Sequence, residues 1–202
     1  MRTRLFIVSI LMAITMKAQD VKFKSLGNVE MMVSYQLDQL CDYPNQWRNS
    51  EWREEGTLIL ETGGGRAHSY VVEERNSMMK SLVAFKEKNH WSLNPSPHAL
   101  LGETFIGEPK RGQLMQLVNL DAAGVFQYTE AVPKLKWKLC DERKKVLDYD
   151  CQKATCTFRG RDYEAWFAEG IPVSFGPWKF GGLPGLILEI ADTKNEYHFI
   201  AT

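Results

Sequence analysis

Apolar and polar positions alternate in short runs along most of the chain, and turn residues separate the runs. Asn28 to Leu37 (NVEMMVSYQL), Thr57 to Thr62 (TLILET) and His68 to Val72 carry the β-branched and aromatic residues of strands. GGGRA, between the last two, is a permissive turn. Gln113 to Asn119 and Val125 to Ala131 flank LDAAG as a hairpin. Leu135 to Cys140 predicts a strand that turns through DERKK into a partner running from Val146 through CQKATCTF. RGRD turns the chain again, and Tyr163 to Phe167 alternates. Leu186 to Ile190 and Glu196 to Ala201 flank DTKN as a last hairpin.

Glu73 to Lys88 changes period. Met78, Met79, Leu82, Val83 and Phe85 are spaced as one helical face with charges around them, which predicts a helix. Asn89 to Gly112 carries Pro95, Pro97 and Pro109 and reads mostly as loop. Successive hairpins predict a mainly β fold. The expectation is an antiparallel meander forming a curved sheet or a partly open, bowl-like barrel with one or two helices.

The first residues alter the domain boundaries. MRTRLFIVSILMAITMKAQD has a basic start, an apolar run from Leu5 to Met16 and a small residue at Ala18. That is the pattern of a signal peptide over residues 1–18, cut near Ala18. The expectation is a single β-rich domain over 19–202, periplasmic or secreted, with no integral membrane span after signal removal. Lys plus Arg and Asp plus Glu number 25 each, so the basic excess of a nucleic-acid binder is absent. Cys41, Cys140, Cys151 and Cys156 permit two disulfides in an oxidising compartment, with three pairings open. Cys151 and Cys156 lie five apart and would face opposite sides of a strand, so they pair poorly with each other.

GPWKFGGLPGLILEI, from Gly176 to Ile190, packs turn residues against core residues. Gly181 and Gly182 permit positive φ, and Leu183-Pro184-Gly185-Leu186 fits a type II turn leading through Ile187 into a buried strand. Trp178 and Phe180 would anchor it by packing. GGLPGLI, preceded by CQKAT (Cys151 to Thr155), FRGRDYEAWF (Phe158 to Phe167) and IPVSFGPWKF (Ile171 to Phe180), resembles the GLPGLI family of Bacteroidetes. The resemblance covers about Lys136 to Ile190. It implies an exported, envelope-associated, bowl-like β domain of no firm activity, with an outer-membrane transport component as a candidate partner. Members of that family run on beyond the point where this chain stops.

The chain carries no HExxH, no GxSxG and no histidine pair at ligand spacing, so neither a metal nor a cofactor is expected. His68, His90, His98 and His198 are scattered. The densest cluster is Arg159, Arg161, Tyr163 and Trp166, with Trp178 following. The two arginines flank the RGRD turn as a candidate clamp for an anion or carboxylate, and the aromatics suit sugar rings or peptide side chains. Tyr163, Ala165 and Phe167 should share one strand face, Glu164 and Trp166 the other. The reading that follows is non-catalytic binding of an envelope ligand or protein on a concave sheet face. The alternatives are a hydrolase of envelope peptides or glycans with a site assembled in space, and a structural accessory to a transport system.

Overall fold

The computed structural model describes residues 27–41, 52–88, 101–108, 110–119 and 125–202. The expected signal peptide and the expected LDAAG turn lie outside them. The strands are β1 (Met31–Cys41), β2 (Trp52–Gly63), β3 (Arg66–Val71), β4 (Glu103–Ile106), β5 (Gln113–Asn119) and β6 (Val125–Ala131). They continue with β7 (Lys138–Val146), β8 (Tyr149–Phe158), β9 (Arg161–Ala168), β10 (Leu186–Asp192) and β11 (Tyr197–Ala201). One α-helix, α1 (Val72–Lys88), stands among the described residues.

All the described strands join one antiparallel sheet in the order β6-β5-β4-β3-β2-β1-β11-β10-β9-β8-β7. Two meanders build it, β1 to β6 and β7 to β11, and they meet where Tyr35 of β1 pairs with Ala201 of β11. The sheet curls. A flat sheet would hold β6 and β8 about 40 Å apart, at about 4.8 Å per strand. Instead Arg159, at the end of β8, reaches Glu130 of β6 at 3.3 Å. The mainly β, curved, open sheet is therefore the observed architecture.

One face of the sheet buries the core. Tyr35, Leu37, Leu58, Leu60, Phe167, Ile190 and Phe199 point inward and are almost fully enclosed. Tyr35 donates its hydroxyl to the Ile187 carbonyl at 2.7 Å, which satisfies a polar group deep in apolar surroundings. A strap of residues 171–185 crosses this inner face between β9 and β10. Phe180 lies in the core, 4.8 Å from the Tyr163 ring. The Trp178 amide donates to Ser69 Oγ of β3 at 3.0 Å, and Lys179 Nζ meets Glu130 Oε1 of β6 at 2.6 Å. The strap thus ties the C-terminal meander to the N-terminal one.

The glycines of the strap answer backbone demands. Gly182 takes φ 90, which side chains rarely adopt. Gly185 does not occupy the left-handed position that a type II turn would give it. A Cβ there would stand 2.1 Å from the Ala168 carbonyl oxygen, so close approach is what requires glycine. Leu186, Ile187 and Leu188 are buried consecutively because β10 has an irregularity between Ile187 and Glu189.

Three expectations need correction. β4 lies inside the proline-bearing stretch read as loop, held by pairing with β3 and β5. DERKK is strand, not turn, because β7 is a sheet edge where charged side chains reach water and need no apolar alternation. The hairpin turns instead at Leu147, whose φ is 51. On α1, Met78 is buried but Met79 and Val83 are exposed, so the predicted apolar face is not covered as a whole. The first turn of α1 is fixed by tertiary hydrogen bonds: Glu73 accepts from the Thr57 amide and Glu74 from the Gly102 amide. Among the described residues no helix is long and apolar enough to cross a membrane.

Candidate functional site

The five residues singled out from the sequence do not converge. Arg159 and Gly160 form a two-residue turn with φ 50 and 79, the mirror-image geometry that suits a hairpin. Arg159 lies 5.9 Å from the Trp178 ring centroid, and these two do meet. Arg161 is ion-paired with Glu196 and, at 3.4 Å, with Asp192, so it ties the β10–β11 hairpin instead of waiting for an anion. Tyr163 is inside the core, where burial pushes its hydroxyl pKa up to about 12. Trp166 lies on the outer face, 4.6 Å below the Lys144 ammonium. Tyr163 and Trp166 point to opposite faces, as the period of a strand requires.

Cys140, Cys151 and Cys156 are free thiols, so none of the three pairs with another. Cys41 ends β1, and its side chain lies outside the described set. Burial raises the Cys156 thiol pKa to about 11 and shifts that of Cys151 the same way. Neither is a thiolate near neutral pH, which makes both poor nucleophiles.

The sheet register assembles a different group on the outer face. Glu61 of β2 pairs with His68 of β3, and His68 pairs with Phe105 of β4. Their side chains form one row across three strands. His68 Nδ1 is 3.0 Å from Glu61 Oε2, and Nε2 is 3.1 Å from Glu103 Oε2. Ionised carboxylates only accept hydrogen bonds, so both contacts form together only with a proton on each nitrogen or on one carboxyl. The ring stacks on Phe105 at 4.2 Å and 8°. Arg75, from the first turn of α1, approaches Glu103 at 3.7 Å and lies 4.2 Å over the Tyr70 ring. Tyr70 donates to Glu61 Oε1 at 3.4 Å, and its own pKa is raised by burial and by Glu61.

A cleft of about 280 Å³ opens beside this row. Glu61, His68, Arg66 and Glu108 line it together with Val29 and Ile106. Arg66 and Glu108 are ion-paired at 3.3 Å. The arrangement can hold a proton between histidine and carboxylate, and it can exchange hydrogen bonds with a neutral polyhydroxyl ligand. None of these residues belongs to the cluster predicted from the sequence. A signal was present for one contact: the Gly64-Gly65 turn fixes Glu61 opposite His68.

The model of the family described as N-glycanase peptide, N-terminal domain, matches residues 78–202. This overturns the GLPGLI resemblance: the matching family is a different one, and GGLPGLI is explained by the backbone demands of the strap. Two solved structures of PNGF-II, in a P21 and a C2 crystal form, share the fold. Their TM-scores are 0.56 and 0.53 at 17% and 16% identity, over 85% of this chain. The chain spans 27% of the length of each. A search of curated proteins finds no match.

Proposed function

The chain belongs to the N-glycanase peptide, N-terminal domain family, and from that premise we propose that it serves hydrolysis of N-linked glycans by engaging the glycoprotein substrate. The observation that carries the reading is the family match over residues 78–202. The cleft supports it, since it offers carboxylates and an arginine at the rim of a rigid sheet. Substrate-binding elements gain from such a scaffold because little ordering is left to accompany binding.

The Glu61–His68–Glu103 row favours a second reading, in which the chain itself hydrolyses. Adding water across a glycosylamide C–N bond needs one group to take a proton from water and another to return one to the leaving nitrogen. A histidine held between two carboxylates is suited to both transfers. The engaging reading is preferred because Glu103 is buried behind His68, away from the cleft lining.

Both readings are tested with the full chain and one N-glycopeptide. Calorimetry should show binding to the glycopeptide and none to the same peptide without its glycan. Equal binding to both would overturn the engaging role. Mass spectrometry that showed asparagine converted to aspartate by the chain alone would establish the second reading. Export through residues 1–18 would bring the chain to extracellular or periplasmic glycoproteins. N-terminal sequencing of the exported chain should then begin near Gln19, and an intact Met1 would refute export by cleavage.

A further inference from the structure

The rim cleft has the make-up of a site for one sugar unit, and its walls are tied in place. Residues 27–29 form one wall, set against the β2–β3 hairpin. The Glu30 amide donates to the Thr62 carbonyl at 2.8 Å, and Glu30 Oε1 accepts from the Gly64 amide at 3.2 Å. The contact is so close that a Cβ on Gly63 would stand 2.2 Å from the Asn28 carbonyl oxygen. The opposite wall is the end of β4. There Gly107 takes φ 87, and a Cβ on it would press the Arg66 stem at 3.1 Å. His68 cannot swing, because both ring nitrogens are engaged and the ring is stacked on Phe105.

We propose that this cleft binds a single N-acetylhexosamine unit of an N-glycan, an inference that rests on the glycan-engaging reading above. Three features select that chemistry. The volume, about 280 Å³, is at the small end for ligand pockets and fits one ring with its substituent, not a branched glycan. The polar lining mixes signs: Glu61 and Glu108 accept from hydroxyls, and Arg66 donates to a carbonyl or ring oxygen. Two carboxylates beside one arginine disfavour a phosphate or sulfate. Val29 and Ile106 supply an apolar niche for the acetyl methyl.

The test is a titration of the ¹⁵N-labelled full chain with N,N′-diacetylchitobiose, with maltose as the sugar that lacks acetamido groups. Shifts are expected at residues 27–30, 63–68 and 107, with little response to maltose. Glu61→Gln keeps the hydrogen-bond geometry with His68 but removes a charge, and should weaken binding at least tenfold. Val29→Trp should abolish binding by filling the cleft from an exposed position, and it leaves His68 and its carboxylates in the sequence. That variant keeps the test sharp if Glu61→Gln does not fold. Equal shifts with maltose, shifts only on the strap or on β7 to β11, or unchanged affinity in Val29→Trp would each overturn the proposal. If the chain binds an N-glycopeptide but not chitobiose, the cleft assignment fails and the glycan-engaging reading stands. If it binds neither, both fall.

Discussion

His68 and His198 lie on the same outer face of one sheet, and each meets a glutamate, but their surroundings differ. His198 Nε2 is 3.2 Å from Glu189, which is also bridged by Lys144. There a base, an acid and a histidine close on one another over packed strands. His68 stands between two carboxylates beside an open cleft, with an arginine and a further glutamate across it. A histidine–glutamate contact alone is a way to satisfy polar groups on a half-covered surface. Access from an open cleft, with further charged groups lining it, turns such a contact into a candidate site. On the proposed reading the rim of β2 to β4 is the functional region, and the strap with β7 to β11 is the architectural one.

This contrast gives a series of expected effects. The largest belongs to the strap. Phe180→Ala removes a ring enclosed against Tyr163 and should cost about 3–5 kcal/mol in urea denaturation. Binding by whatever fraction remains folded should be unchanged. Gly185→Val drives a side chain into the Ala168 carbonyl and should cost about 2–3 kcal/mol. A neutral result would mean that the strap is not the architectural clasp. The rim should behave in the opposite way. Glu61→Gln should lose about 1.4 kcal/mol of glycopeptide binding, a tenfold change, with melting close to that of the parent. Smaller again is His198→Asn, which should cost about 0.5–1 kcal/mol of stability, since the pair is partly exposed, and should leave glycopeptide binding alone.

The smallest effect is on pH dependence. Hydrogen bonding from His198, then from Lys144, holds the Glu189 carboxyl below its ordinary value of 4.5, although burial opposes this. A depressed carboxylate stabilises the fold above the unfolded value. That contribution is lost as pH falls through the lower native value. Glu189→Gln should therefore flatten the acid side of the stability curve and leave neutral binding intact. A variant that lost binding instead would move the functional region toward β10 and β11.

Most of the C-terminal meander was legible from sequence because β9 and β11 alternate and short turns join β7 to β8, β8 to β9 and β10 to β11. β4 was not legible. It has four residues, follows two prolines, and becomes strand only because β3 and β5 present their edges. β7 was half legible, since a free edge imposes no apolar period on DERKK. The Glu61–His68 contact followed from the Gly64-Gly65 turn, which sets the register. Glu103 could not be added to it while β4 was read as loop. Arg159, Arg161, Tyr163, Trp166 and Trp178 are close in sequence, but strand alternation and the curl of the sheet send them to four different environments, and only Arg159 and Trp178 meet. The GGLPGLI segment misled for a related reason. Its glycines record what the backbone must do at Gly182 and Gly185, which is a physical demand and not a mark of descent.

The most direct measurement is hydrogen–deuterium exchange of the full chain with and without an N-glycopeptide. Protection is expected at residues 27–30, 61–68 and 105–108, with residues 186–201 unchanged. Protection confined to 186–201, or none anywhere at saturating glycopeptide, would contradict the assignment of the rim as the glycan-engaging region.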